Sequence, residues 1–175
     1  SNSGIFIEKG TNATVAGNDL TDNNFGMLLI DSTGTKFLSN DITDSTLSGM
    51  LILGSTGTKI VSNDISRPGE AGIAMFGPER ASNAGKVVGN RISGGAWGIL
   101  LQLARGGSFT GNTIRNNCAG MFFEADDFDE HVVGFEVRGN TVENNTRKCP
   151  TGIIEQGREA FSGIGIALLG ASGME

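Results

Sequence analysis

Residues 32–42 read STGTKFLSNDI and residues 55–65 read STGTKIVSNDI, so nine of eleven letters agree at a displacement of 23. The two differences exchange one apolar residue for another. The displacement persists where the letters diverge. Asparagine recurs with an apolar residue three positions before it and another two after it, at Asn18, Asn40, Asn63, Asn90, Asn112 and Asn140. A glycine that opens an apolar run recurs at Gly4, Gly26, Gly49, Gly72, Gly98, Gly120 and Gly165. Repetition with a period of about 20–30 residues marks a solenoid, in which each unit buries its apolar side against the next.

The letters inside one period choose the kind of solenoid. Around each asparagine the apolar positions alternate with small or polar ones. Val15, Phe37, Ile60, Val87, Phe109 and Val137 stand before it, and Leu20, Ile42, Ile65, Ile92, Ile114 and Val142 after it. A period of two is a strand signal. No helical stripe of comparable length exists, and 28 glycines together with Ser, Thr, Asn and Asp supply frequent turns. The Leu-x-x-Leu-x-Leu pattern of leucine-rich repeats is absent. Each repeat therefore reads as one coil of an all-β, parallel β-helix solenoid, about seven coils of 22–28 residues in a single domain spanning 1–175. Stacking at the ordinary strand spacing of about 4.8 Å places each residue type above its own kind. Apolar residues stack inside, and the asparagines form a ladder at a turn.

The stretch GILL…FTGNTI (98–114) follows the pattern G-I-x-L…V-x-G-N-x-I, and the chain resembles the right-handed parallel β-helix family of pectate-lyase-like, carbohydrate-binding and sugar-hydrolase repeats. The resemblance covers essentially the whole chain. It implies a secreted or cell-surface module that binds or processes polysaccharide and, if it is an enzyme, a polysaccharide lyase or glycoside hydrolase. The D-P-H triplet sought in such lyases and epimerases is absent, and the chain has no Tyr. The matching residues are those that build coils, so they speak to fold more than to activity.

Charge narrows the partners. A net charge of −6 and a pI near 4.8 disfavour nucleic acid, because no basic stripe is evident to neutralise phosphates. No apolar run reaches the roughly 18 residues of a membrane span. The last residues, GIALLGASGME (165–175), align with GMLILGSTGTK (49–59), so the chain stops in mid-coil without an obvious capping repeat. The expectation is a fragment of a longer solenoid.

Function in a repeat array is sought where the repeat is broken. The Gly-to-Asn spacing grows from 14 to 18 between Gly72 and Asn90 and to 20 between Gly120 and Asn140, with the extra residues near 77–83 and 125–131. Two enlarged turns around a shorter coil would make a groove. Asp126, Asp127, Asp129, Glu130, His131 and Arg105 are its candidate catalytic residues, and Glu79, Arg80, Gln102 and Glu124 its candidate substrate contacts. Paired carboxylates could act as acid and as base or nucleophile on a glycosidic bond, and Arg105 could serve as the base of a lyase. The plain alternative is a solvated acidic loop paired with an arginine.

Three further features carry expectations. Asp19, Asp41 and Asp64 follow their asparagines in successive coils, and stacked carboxylates would suit calcium, unless they splay into water or bond nearby hydroxyls. Cys118 and Cys149 fall in the same turn one coil apart, either as a disulfide or as two buried thiols. The residue two after each glycine should face outward, yet it includes Phe6, Leu28, Leu51, Leu100 and Phe122. Such a face predicts self-association or a covering segment. The alternative to a glycan role is accordingly a structural or adhesin-type segment that assembles through this face, with an ice-binding solenoid a distant third. Trp97 directly precedes Gly98 near a turn, where packing is at least as good a role as sugar stacking.

Overall fold

The computed structural model describes residues 2–77, 85–103, 106–124, 132–148, 163–169 and 171–172. Strands are numbered in chain order. The first sheet contains β1 (Ser3–Glu8), β4 (Phe25–Ile30), β7 (Met50–Leu53), β10 (Ala71–Phe76), β13 (Trp97–Gln102), β16 (Ala119–Glu124) and β20 (Ile164–Leu169). The second contains β2 (Thr14–Ala16), β5 (Lys36–Leu38), β8 (Lys59–Val61), β11 (Lys86–Val88), β14 (Gly107–Thr110) and β18 (Phe135–Arg138). The third contains β3 (Asp19–Thr21), β6 (Asp41–Thr43), β9 (Asp64–Ser66), β12 (Arg91–Ser93), β15 (Thr113–Arg115) and β19 (Thr141–Glu143). A short pair, β17 (Val132–Val133) and β21 (Ala171–Ser172), stands apart. The chain is thus a parallel β-helix, with seven strands in the first sheet and six in each of the second and third among the described residues. Every pairing is parallel, and the duplicated undecapeptide pairs with itself, Phe37 on Ile60 and Ile42 on Ile65.

The alternating pattern builds the interior as expected. Phe37, Ile60, Val87 and Phe109 are buried from the second sheet, Ile42, Ile65, Ile92 and Ile114 from the third, and Met27, Met50, Ile73, Ile99 and Met121 from the first. At one end the interior turns aromatic. The Phe123 and Phe135 rings stack at 5.6 Å, and Phe109 tilts against both.

The asparagine ladder runs through six coils at the corner between the second and third sheets. Asn63 shows the arrangement: its Oδ1 accepts from the backbone N–H and from the Nδ2 of Asn40, each at 2.9 Å. Its Nδ2 donates to Oδ1 of Asn90 at 2.9 Å and to the carbonyl of Phe37 at 3.0 Å. The buried amide therefore meets both of its acceptor and both of its donor requirements, which a side chain of another shape could not do. The bends on either side of the third sheet are single left-handed residues. The residue before each asparagine has positive φ, whether glycine, as at Gly111 (64°), or serine, as at Ser62 (56°). The same holds four residues after it, as at Asp44 (54°) and Arg67 (52°).

The recurring glycine has a steric cause. Within each coil the third-sheet aliphatic closes against the first-sheet glycine. A Cβ on Gly26, Gly49, Gly72 or Gly98 would overlap the Cγ2 of Ile42, Ile65, Ile92 or Ile114 respectively. The two marks in the sequence are therefore the two halves of one contact.

Two predictions follow from these contacts. Asn63→Ala strands the Asn40 N–H in the interior and removes the second hydrogen bond to the Phe37 carbonyl, and at about 1–3 kcal/mol per unpaired buried group it should lower stability by about that amount in urea unfolding. Gly72→Ala should cost about 1–3 kcal/mol through overpacking. Combined with Ile92→Ala, which removes the opposing methyl, the double variant should lose less than the sum of the two single variants.

Candidate functional site

The outer face of the first sheet is the natural place for a site, since the enlarged turns adjoin its strands. Its middle is apolar, but it is not the free face that the alternation suggested. Leu28 (7 %) and Phe122 (4 %) are buried, Leu51 and Leu100 are half-buried, and of the five named residues Phe6 alone is exposed. For Phe122 the reason lies in the small residues of the same cluster. Ala71, Ala74 and Ala119 leave room, and the corner before the sheet contributes Ala96 and Cys118 to an outer apolar cluster with Trp97 and Phe122. The Trp97 and Phe122 rings lie 4.8 Å apart at 51°. Trp97 is thus a packing residue and offers little face to a sugar. Cys118 is a buried free thiol, whereas Cys149 lies outside the described residues.

Polar character returns at the ends of two strands. Gln102 closes β13, Glu124 closes β16, and the two are partners in the strand register. Gln102 Nε2 donates to Glu124 Oε2 at 2.9 Å. In the three preceding coils the same row carries Ile30, Leu53 and Phe76. The change from apolar to polar therefore begins at the coil that follows the first enlarged turn: Gln102 ends the strand of the regular coil between the two enlarged turns, and Glu124 ends the strand that leads into the second. Gln102 and Glu124 are the two expected groove residues that the structure describes. Glu79, Arg80, Arg105, Asp126, Asp127, Asp129, Glu130 and His131 lie outside the described residues.

The aspartate column is present as a register, Asp19 on Asp41 and Asp41 on Asp64. Its carboxylates are engaged locally, since Thr21 donates to Asp19 and Thr43 to Asp41, each at 3.3 Å. Among the described residues no three His, Cys, Asp or Glu side chains are placed to hold a metal ion, so the calcium expectation finds no cluster there. The column is closed in the next coil by Arg91, which pairs with Asp64 in the register.

Two smaller ladders escaped the sequence reading. Asn117 donates through its backbone N–H and its Nδ2 to Asn145 Oδ1, each at 3.0 Å, and its own Oδ1 accepts from the Gly95 N–H. The repeated strings GNTIRNN (111–117) and GNTVENN (139–145) carried that signal. Ser32 and Ser55 form the other ladder, with the Ser32 N–H donating to Ser55 Oγ at 3.0 Å.

Comparison with known proteins agrees with this geometry. The family model described as right handed beta helix region matches residues 3–173. No curated protein matches the chain by sequence. Among solved structures, a point mutant of the periplasmic alginate epimerase AlgG superposes with a TM-score of 0.66 at 16% identity, over 99% of this chain and 42% of that one. A second AlgG crystal structure gives 0.59 at 15% identity, over 99% and 47%. The chain spans less than half the length of these neighbours, and at such identity the likeness is one of fold.

One electrostatic contact on the third sheet's border is open to direct test. Arg67 Nε and Nη2 donate to the two carboxylate oxygens of Asp44, each at 2.7 Å. This hydrogen bonding holds the Asp44 carboxyl below its ordinary value. A depressed carboxyl stabilises the fold above its unfolded pKa, and that contribution disappears as pH falls through the folded pKa. Arg67→Gln should therefore move the Asp44 titration upward, which carboxyl-detected NMR would follow, and should weaken this contribution to acid sensitivity.

Proposed function

Because the chain belongs to the right handed beta helix region family, we propose that it is a polysaccharide-binding or polysaccharide-processing module that acts outside the cytoplasm. The observation that carries this reading is the Gln102–Glu124 pair, which replaces an apolar row in the two coils that adjoin the departures from regular repeat length. Planar amide and carboxylate groups held by one another are well suited to hydrogen-bond sugar hydroxyls, since neither has to be ordered on binding. The groove would be completed by Glu79 and Arg80 from one enlarged turn, by Arg105 from the regular coil between, and by Asp126, Asp127, Asp129, Glu130 and His131 from the other enlarged turn. Within it, carboxylates could supply acid and base, and Arg105 could hold or deprotonate a uronate. That the crystal structures it resembles are of an alginate epimerase supports a polysaccharide ligand. The covering of Leu28 and Phe122 within the chain weakens the competing idea of assembly through the outer apolar face.

The test is a glycan array followed by titration of the best ligand against Glu124→Gln, Arg105→Ala and Asp127→Ala. A lost charge-assisted hydrogen bond is worth about 1.5–3 kcal/mol, so each variant that touches the ligand should bind about tenfold or more weakly. A silent array, or a ligand bound equally well by all three variants, would overturn the groove.

A further inference from the structure

The second sheet carries a feature that the sequence reading passed over. Its outward positions are those on either side of the buried Phe37, Ile60 and Val87, because successive side chains of a strand point to opposite faces. One outward row holds Lys36, Lys59 and Lys86, which are direct register partners in three adjacent coils. All three are exposed. None makes an ion pair with a described residue. Elsewhere on this face charge is neutralised locally: two coils after Lys86, Glu136 and Arg138 pair within their own strand at 3.0 Å. Three like charges stacked without a counter-ion are unfavourable in the free protein, and a ligand of opposite charge and matching repeat would relieve them.

The neighbouring rows narrow the ligand. Two residues along, about 7 Å away at the strand rise, the outward row reads Leu38, Val61 and Val88, all half-buried. A cationic stripe beside an aliphatic stripe fits a chain that carries one anionic group and one apolar face per repeat. Around the asparagine corner the third sheet presents the Asp19, Asp41 and Asp64 column, which would repel a polyanion and confine it to the second sheet.

We propose that Lys36, Lys59 and Lys86 bind a linear uronate polysaccharide that runs along the solenoid axis, one carboxylate to each lysine, with sugar C–H faces against Leu38, Val61 and Val88. Consecutive lysines stand one strand spacing, about 4.8 Å, apart, and their long flexible side chains can reach carboxylates on either edge of an extended sugar chain. This site lies on a different sheet from the Gln102–Glu124 groove and does not depend on it. It would retain or orient a long acidic polymer alongside the groove. Because the chain as a whole is acidic, with a net charge of −6, the attraction is local and strongly salt-dependent.

The test is calorimetric titration of the whole chain with oligogalacturonates of increasing length, in low and moderate salt. Affinity should rise steeply up to about three sugars, one per lysine, and flatten beyond. Lys59→Gln should weaken the hexamer about tenfold or more, and the Lys36→Gln/Lys59→Gln/Lys86→Gln variant should abolish this binding, while melting no lower than the parent because these side chains are solvent-exposed and their mutual repulsion is relieved. Each lysine removed should lower the log–log salt slope by about one. Repeating the lysine substitutions in an Arg105→Ala background, where the groove's own hold on a uronate is removed, should give the same losses, which separates failure here from failure of the groove. Val61→Thr should weaken the uronate but not inorganic polyphosphate. Hexamer binding unchanged in the triple variant would overturn the proposal, as would single-stranded DNA or polyphosphate binding as tightly as the uronate and responding alike to Val61→Thr.

Discussion

The whole molecule depends on one hydrogen-bonded column. In an open parallel stack, sliding one coil by a residue would turn its apolar side chains to water, yet backbone pairing alone discriminates weakly between registers. The Asn18-to-Asn140 ladder removes that ambiguity. Each inner amide is buried, accepts twice and donates at least twice, and its partners exist in only one alignment. An unpaired amide in that interior would cost far more than the net gain from any one of its bonds. The column therefore acts chiefly by penalising wrong alignments. The stacking of methionines, isoleucines and phenylalanines, of Asp19 on Asp41, and of Lys36 on Lys59 are all downstream of it.

Closure of each coil is a second constraint, set by volume. The third-sheet aliphatic needs the space that a first-sheet side chain would fill, so Gly72 and Ile92 behave as one unit although twenty positions separate them. Left-handed residues bend the chain on both borders of the third sheet, and Ser62 and Arg67 accept a conformation that most side chains disfavour. Coil shape is thus fixed by a few stereochemical demands, which leaves the outward positions free to vary in chemistry.

That division explains what could be read from the letters. Inward positions obey periodicity and volume, so Phe37, Ile42, Ile60 and Ile65 announced themselves, as did the asparagines, and the right-handed β-helix resemblance followed. Outward positions obey whatever lies against them. Leu28 and Phe122 looked exposed because alternation specifies direction only, and Ala71, Ala74, Ala96 and Cys118 revealed their purpose once the coils were in place. The lysine stripe was missed for a related reason. Lys36 and Lys59 sit inside the duplicated string that decided the fold, but Lys86 belongs to a coil whose letters have diverged, and only the register joins the three. The polar pair of Gln102 and Glu124 was legible only as two members of a groove inferred from spacing. Their mutual hydrogen bond comes from three-dimensional proximity.

The steps between first-sheet partners are unequal: 22 residues from Ser3 to Phe25, 26 from Ala71 to Trp97 and 45 from Ala119 to Ile164. By contrast, the stretch from the second sheet through the asparagine corner to the third keeps one length, Lys36–Thr43 matching Lys59–Ser66 and Lys86–Ser93. Doubling the length of a flexible loop costs only about 0.6 kcal/mol of closure entropy, less than one rung of the ladder is worth. Growth is therefore cheap in some corners and forbidden in another. Over generations such a scaffold can acquire, lose or exchange whole recognition loops while its frame is inherited unaltered, and related chains can diverge in appetite long before they diverge in shape.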